Sequence, residues 1–163
     1  MKKERKDQEI SHIKRREIQA SIASPIINGF MKEFGKERTL EVLSKIIAHD
    51  AIDSGRKLAA KYKGNGMNEL SKLIREVWCE EEALVIDVLK ETDNEFHFNV
   101  TKCRYAEAYK KLNIQQLGKY LSCDRDFRFN EGFNPEIKLQ RSQTIMEGAD
   151  HCDFRYSKKE SEK

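Results

Sequence analysis

The sequence predicts an α+β fold, with N-terminal helices packed on one face of a four-stranded, mostly antiparallel sheet made of two hairpins. Three observations predict it. Apolar residues recur at helical spacing through the N-terminal half, and the period then changes to two at Phe96-His-Phe-Asn-Val100. A second alternating run, Cys152 to Tyr156, follows turn residues near the C-terminus.

The elements follow in order. Residues 1–12 form a basic arm, since the first 16 positions hold seven Lys or Arg against three acids. From Ile13, the positions Ile18, Ile22, Ile26 and Phe30 mark one apolar helix face, with Pro25 expected to kink or restart the helix. Gly35 suits a C-cap, and Thr39 an N-cap for a long helix over 39–62, with an apolar face that includes Leu40, Leu43, Ile46 and Leu58. Burial of that face against the sheet is the expectation. Lys63-Gly-Asn-Gly66 reads as a turn containing a positive φ. A third helix runs from Met67 to about Glu80, with Leu70, Leu73, Ile74, Val77 and Trp78 inward.

The pattern then turns to strands. Ala83–Lys90 and Phe96–Cys103 form a hairpin with Phe96, Phe98 and Val100 toward the core; His97, Asn99, Thr101 and Cys103 fall on the opposite face. A helix follows over 104–119, and Glu131-Gly-Phe-Asn-Pro135 reads as loop. A strand over 137–145 leads into the turn Glu147-Gly-Ala-Asp150 and the last strand. One domain therefore spans 13–157, before a disordered tail at 158–163.

Composition narrows the function classes. Charged residues make up 36% of the chain but the net charge is only +3, which argues against a nucleic-acid partner. No apolar run approaches the roughly 20 residues of a membrane span, and no apolar segment follows the first charges as a secretory signal requires. A soluble, cytoplasmic protein with no membrane partner is the expectation. The cysteines, Cys79, Cys103, Cys123 and Cys152, lie 24, 20 and 29 residues apart, too far for a Cys-x-x-Cys clip, and free thiols follow from that compartment.

Reactive side chains concentrate in the C-terminal half. The stretch Arg141–Tyr156 carries Arg141, Thr144, Asp150, His151, Cys152 and Asp153, with Cys103, Cys123 and Asp124 upstream. Three chemistries fit. A thiolate can attack an electron-poor carbon while a His or carboxylate moves protons and Arg141 pairs with a substrate carboxylate. Cys and His from separated segments can hold a metal or iron-sulfur cluster. Buried cysteines and surface ion pairs can also be purely structural.

The run Arg141–Tyr156, together with Cys103-Arg-Tyr-Ala-Glu107 and Cys123-Asp124, resembles the L-2-amino-thiazoline-4-carboxylic acid hydrolase family over about residues 13–157. Its most specific part is Gly-x-x-x-Cys-Asp-Phe, matched by Gly148, Cys152, Asp153 and Phe154, with Arg141 and Thr144 on the preceding strand. Ala149 stands directly after the glycine, where the family pattern has an Asp, and Asp150 follows it. The resemblance implies hydrolytic opening of a cyclic 2-amino-thiazoline acid to a carbamoyl-cysteine, on a bacterial route to cysteine. On that reading Cys152 or Cys123 attacks the ring, or Asp124, Asp150 or His151 activates water. Arg141 holds the carboxylate, and Thr144 and Cys103 complete the substrate site. No cofactor is implied, and a metal is left open. The partner is a small molecule carrying a carboxylate.

Two rivals from other classes stand beside this reading. One is a non-catalytic sensor domain binding a small molecule, a metal or an iron-sulfur cluster. The other is an oligomerisation module built on the helix over 39–62, and homo-oligomerisation is left open with it.

Overall fold

The structure, a computed structural model, describes residues 10–158. Most of the expected basic arm and the tail beyond Lys158 lie outside the described residues. Within them, the first helix begins at His12 and the last strand ends at Lys158.

Helices α1 (His12–Phe34), α2 (Lys36–Tyr62) and α3 (Met67–Leu73) come first, with α3 continued by a π turn over Ile74–Trp78. Strands β1 (Leu84–Glu91) and β2 (Glu95–Cys103) follow, then α4 (Arg104–Lys111), the short α5 (Gln115–Gly118) and a π turn over Lys119–Cys123. Helix α6 (Arg125–Phe133), strand β3 (Ile137–Gln140) and strand β4 (Cys152–Lys158) complete the chain. The sheet has the order β1-β2-β4-β3 with every pair antiparallel, so the α+β class holds.

One sheet face is the core face. Phe96, Phe98, Val100, Cys152, Phe154 and Tyr156 are all buried on it, as the period-two pattern requires. Phe98 and Phe154 are register partners across β2 and β4, and their rings stack with centroids 4.9 Å apart. Leu70, Leu73, Ile74 and Trp78 from the third helical segment and Phe129 and Phe133 from α6 cover that face.

Several expectations change where tertiary packing overrides pattern. Helix α1 runs unbroken through Pro25, and the carbonyl that loses its donor belongs to exposed Ser21. Its four-residue apolar row faces outward, with Ile18, Ile22, Ile26 and Phe30 exposed. The inward row is Ile13, Ala20, Ser24 and Ile27. Small Ala20 lets α1 close on Tyr109, Ile114 and Leu117, and this close fit selects the face.

Helix α2 starts directly after Gly35, whose φ of +85° makes the break from α1. Thr39 is therefore no N-cap; it sits one turn inside and its Oγ1 donates to the Gly35 carbonyl at 2.8 Å. Nor does α2 lie mainly on the sheet. It packs along α6, where a Cβ added to Gly132 would stand 1.9 Å from the Ile52 carbonyl oxygen, and one added to Gly55 2.2 Å from that of Phe129. Only Leu58, Ala59 and Tyr62 at its end reach the sheet-side core. Ile46, assigned to its buried face, is exposed. The positive φ of the following turn falls on Lys63 rather than on a glycine.

Three corrections concern the C-terminal half. The expected helix over 104–119 is broken at Leu112–Ile114, where Asn113 takes a φ of 58°. The segment read as loop at 131–135 is largely helical, because α6 continues to Phe133 and needs Gly132 for its contact with α2. Strand β3 stops at Gln140 rather than 145, because the Ser142 and Gln143 N–H groups both donate to Asp153 Oδ1 at 2.9 Å instead of to a ladder.

Candidate functional site

Between the sheet edge and helices α1, α2 and α6 lies a cavity of about 820 Å³. A β-bulge brings the first thiol to it. In β2, Lys102 pairs with Val85 and Val100 with Ile86, so Thr101 is an extra residue that reverses the alternation. Cys103 therefore leaves the polar face assigned to it and joins Leu84 and Ile86 on the core side. Its Sγ accepts the Ala106 N–H at 3.4 Å and caps α4.

Helical spacing places the second group. Cys123, Asp126 and Phe129 recur every three residues where the π turn enters α6, so they share one face and line the cavity. Asp124 lies on another face and lines a separate depression with Tyr120, Phe127 and Arg128. Cys152, at the start of β4, completes a set of three thiols around the cavity; its Sγ accepts the Ile145 N–H at 3.2 Å.

Arg141 also reaches the cavity, already committed to protein partners. Its Nη1 donates to Asp126 Oδ2 and its Nη2 to the Cys123 carbonyl at 2.9 Å. The guanidinium carbon lies 4.9 Å from the Phe154 ring centroid and 5.0 Å from that of Phe127, and the side chain is only 4% exposed. Asp126 keeps 22% of its side-chain surface, and the side chain lines the cavity.

Burial dominates the protonation of these groups. It raises the Asp126 carboxyl above its ordinary value, although Arg141 opposes the shift. The Cys103 thiol rises to about 12 by burial. Cys123 is also pushed well up by burial, with Asp126 adding to the effect. Cys152 rises as well through burial, opposed by the Ile145 N–H and Arg141. Burial thus favours the thiol over the thiolate at all three positions.

The remaining predicted site residues lie outside the cavity lining. Thr144 is a cap, with Oγ1 accepting the Glu147 N–H at 3.2 Å and donating to Glu147 Oε2 at 2.8 Å. Gly148, at φ +100°, closes that turn. Asp150 is 88% exposed and pairs with His151 Nδ1 at 2.6 Å, and Gln143 Nε2 approaches the same imidazole at 3.2 Å. The structure therefore gathers Cys103, Cys123, Cys152 and Arg141, and separates Asp124, Thr144, Asp150 and His151 from them. Asp153 of the Cys-Asp-Phe motif pins Ser142 and Gln143, so the motif places one cavity thiol, one backbone anchor and one core ring in succession.

Residues that sequence reasoning passed over as site residues also line the cavity: His12, Arg16, Asp50, Tyr105 and Arg125. His12 Nδ1 stands 2.8 Å from the Tyr105 hydroxyl, and Arg125 Nη2 pairs with Asp50 Oδ2 at 2.7 Å. Asp126 was legible in principle from its three-residue spacing to Cys123 and Phe129; reading 131–135 as loop hid the helix that gives that spacing meaning. Among the described residues, no three His, Cys, Asp or Glu side chains are grouped so as to hold a metal. No described helix is long and apolar enough to cross a membrane.

Fold and cavity together define an antiparallel sheet covered by helices, with thiols, a carboxylate and arginines around one space. The chain belongs to the L-2-amino-thiazoline-4-carboxylic acid hydrolase family, whose model matches residues 15–156. No curated protein matches it in sequence. Its fold is similar to the phenol-responsive sensory domain of the transcription activator PoxR with phenol, at 9% identity and TM-score 0.55, covering 85% of this chain and 74% of that one. It is also similar to a trafficking protein particle complex subunit 3 from Naegleria fowleri covalently bound to palmitic acid, at 12% identity and TM-score 0.54, covering 90% and 96% of the two chains. At such identities the likeness is one of fold.

Proposed function

We propose that the protein hydrolyses a small cyclic amidine acid such as 2-amino-thiazoline-4-carboxylate, opening the ring to a carbamoyl-cysteine. Family membership supports the hydrolase class. The observation that carries the reading is the convergence of Cys103, Cys123, Cys152 and the Arg141–Asp126 pair on one cavity.

In this scheme Cys152 is the nucleophile, because burial raises its thiol but the Ile145 N–H points at its sulfur and, with Arg141, opposes that rise. Asp126, whose carboxyl is raised by burial, receives the thiol proton. Sulfur adds to ring C2 and the ring nitrogen takes up a proton from solvent. Collapse breaks the bond from C2 to the ring sulfur, which leaves as a thiol with the proton from Asp126. Water then attacks the enzyme-bound isothiourea carbon, Cys152 departs, and the urea carbonyl of the product forms. If no covalent step occurs, Asp126 activates water for the same attack on C2. Neither route calls for a resident metal.

Ring-opening assays on Cys152→Ser, Cys123→Ser and Asp126→Asn test the scheme. Loss of turnover in C152S, together with loss of an isothiourea adduct that mass spectrometry detects in the wild type, assigns the nucleophile. Full activity in both cysteine variants eliminates covalent catalysis.

One feature favours a second reading, a ligand-holding domain without turnover: burial raises all three cavity thiols above the ordinary value, which disfavours the thiolate. The two structural neighbours are described with phenol and with palmitic acid. Saturable binding of the thiazoline acid without product release decides for it. The free cysteines support a reducing, cytoplasmic setting, and the product supports a place in bacterial cysteine metabolism.

A further inference from the structure

Arg141 was the sequence's candidate for the substrate carboxylate, but its guanidinium already serves Asp126 and the Cys123 carbonyl and is sandwiched by two phenyl rings. An anionic ligand needs another cation, and α1 and α6 supply two that line the same cavity. Eight Lys or Arg line the cavity against four Asp or Glu, so the space as a whole favours an anion. Arg16 and Arg125 line it together with His12 and Tyr105, and both act on the His12 imidazole.

Arg125 is held for the purpose. Its side chain is 9% exposed, and Asp50, itself 61% exposed, fixes one Nη at 2.7 Å and leaves the other N–H donors uncommitted to that pair. Arg16 donates to the Gln19 amide oxygen at 3.0 Å, and among the described residues no carboxylate lies within ion-pair distance of it. Two guanidiniums thus line one space, and of the two only Arg125 is in ion-pair contact with a carboxylate among the described residues.

Their proximity leaves a signature on the neighbours. Burial and then Arg125 hold the Arg16 guanidinium below its ordinary value. Burial, followed by Arg16, Arg15 and Arg125, lowers His12 to about 4, so His12 stays neutral beside the Tyr105 hydroxyl. A bound anion relieves this repulsion.

We infer that Arg16 and Arg125 form an anion-binding site in the cavity, taking the carboxylate of the substrate, while Arg141 positions Asp126 beside the thiols. The inference rests on the proposed reading for the identity of the substrate, though not for the existence of the anion site. It divides the work of the lining between two guanidiniums from α1 and α6, which take the anion, and the thiols of β2, β4 and the turn before α6, which face the ring.

Trp78 is the chain's single tryptophan and lines the same cavity, so its fluorescence reports binding without turnover. Benzoate and benzamide are matched probes that differ in charge, and the thiazoline acid and its carboxamide are a second pair. Wild-type protein is expected to prefer benzoate over benzamide. Arg16→Gln should weaken benzoate by roughly 10- to 100-fold and leave benzamide unchanged, with Arg16→Lys between. Arg141→Lys should retain the preference. Equal binding of both probes by wild type, or an unchanged preference in both R16Q and Arg125→Gln, overturns the assignment, as does loss of the preference in R141K alone. A benzoate preference that needs Arg16, in a protein that never opens the thiazoline ring, keeps the anion site and removes the hydrolase reading. Ring opening with equal rates on acid and carboxamide does the reverse.

Discussion

Arg141 and Asp126 form a direct ion pair across the wall of the cavity, the arginine from just beyond β3 and the aspartate from the first turn of α6. Arg141 is 4% exposed, so its charge has almost no water to fall back on. Asp126→Asn removes the countercharge and leaves that cation buried. The expected destabilisation is about 3 kcal/mol or more, read as a lower urea midpoint with an unchanged slope. A loss below about 1 kcal/mol means that the guanidinium finds solvent or another acceptor.

The thiols give a chemical prediction. Burial raises Cys103, Cys123 and Cys152 above the ordinary thiol value. Each is thus a thiol rather than a thiolate at neutral pH, and iodoacetamide should leave all three unmodified over a time in which free cysteine reacts fully. Peptide mapping after alkylation checks this. Fast labelling of Cys152 alone at pH 7 identifies an activated nucleophile in the resting protein.

Stability should fall on acidification in a window that His12 sets. Its value drops from 6.5 to about 4 on folding, chiefly by burial, so between those pH values the unfolded chain binds a proton that the folded one does not. The contribution is complete above pH 6.5 and is lost as pH falls through the folded value, with an upper size of roughly 3 kcal/mol. Asp124 and Asp126, raised by burial, titrate with the opposite sign. The difference between wild type and His12→Gln in urea titrations at pH 7 and pH 4 isolates the histidine; parallel curves refute it.

A helix-contact glycine and a solvent-facing glycine should respond in opposite directions. Gly132→Ala drives a methyl into the Ile52 backbone and forces α2 and α6 apart, for a loss of about 3 kcal/mol. Gly29 is exposed inside α1, and a methyl group added there would meet nothing within 4 Å, so Gly29→Ala should gain about 0.5–1 kcal/mol. Thermal unfolding of both variants measures the contrast.

The outward turn of α1 is tested by a pair of alanine variants. Ile22 is 61% exposed and Ile27 7% exposed. Ile22→Ala should change stability by less than about 0.5 kcal/mol and Ile27→Ala should cost about 2–4 kcal/mol. The reverse order restores the four-residue apolar row as the packed face.

The strands show how far local chemistry reaches. Alternation alone determined that Phe96, Phe98, Val100, Cys152, Phe154 and Tyr156 face the core, because a strand has only two faces and one must be apolar. Helical periodicity likewise determined α2 and α3, and the Cys-Asp-Phe signature determined the family. Tertiary structure alone decided which stripe of α1 is buried, since both stripes carry apolar residues and only Ala20 permits close approach to Tyr109. It also decided the composition of the cavity. A bulge at Thr101 moves Cys103 to the core side, and the entry of the π turn into α6 puts Cys123 and Asp126 on one face. Arg16 comes from a segment that reads as a solvated basic stretch, and reaches the cavity because α1 packs across α4. The physical reason is one of range. Period and turn chemistry act within a few residues, whereas the cavity joins side chains from α1 to β4 through contacts that no local pattern encodes.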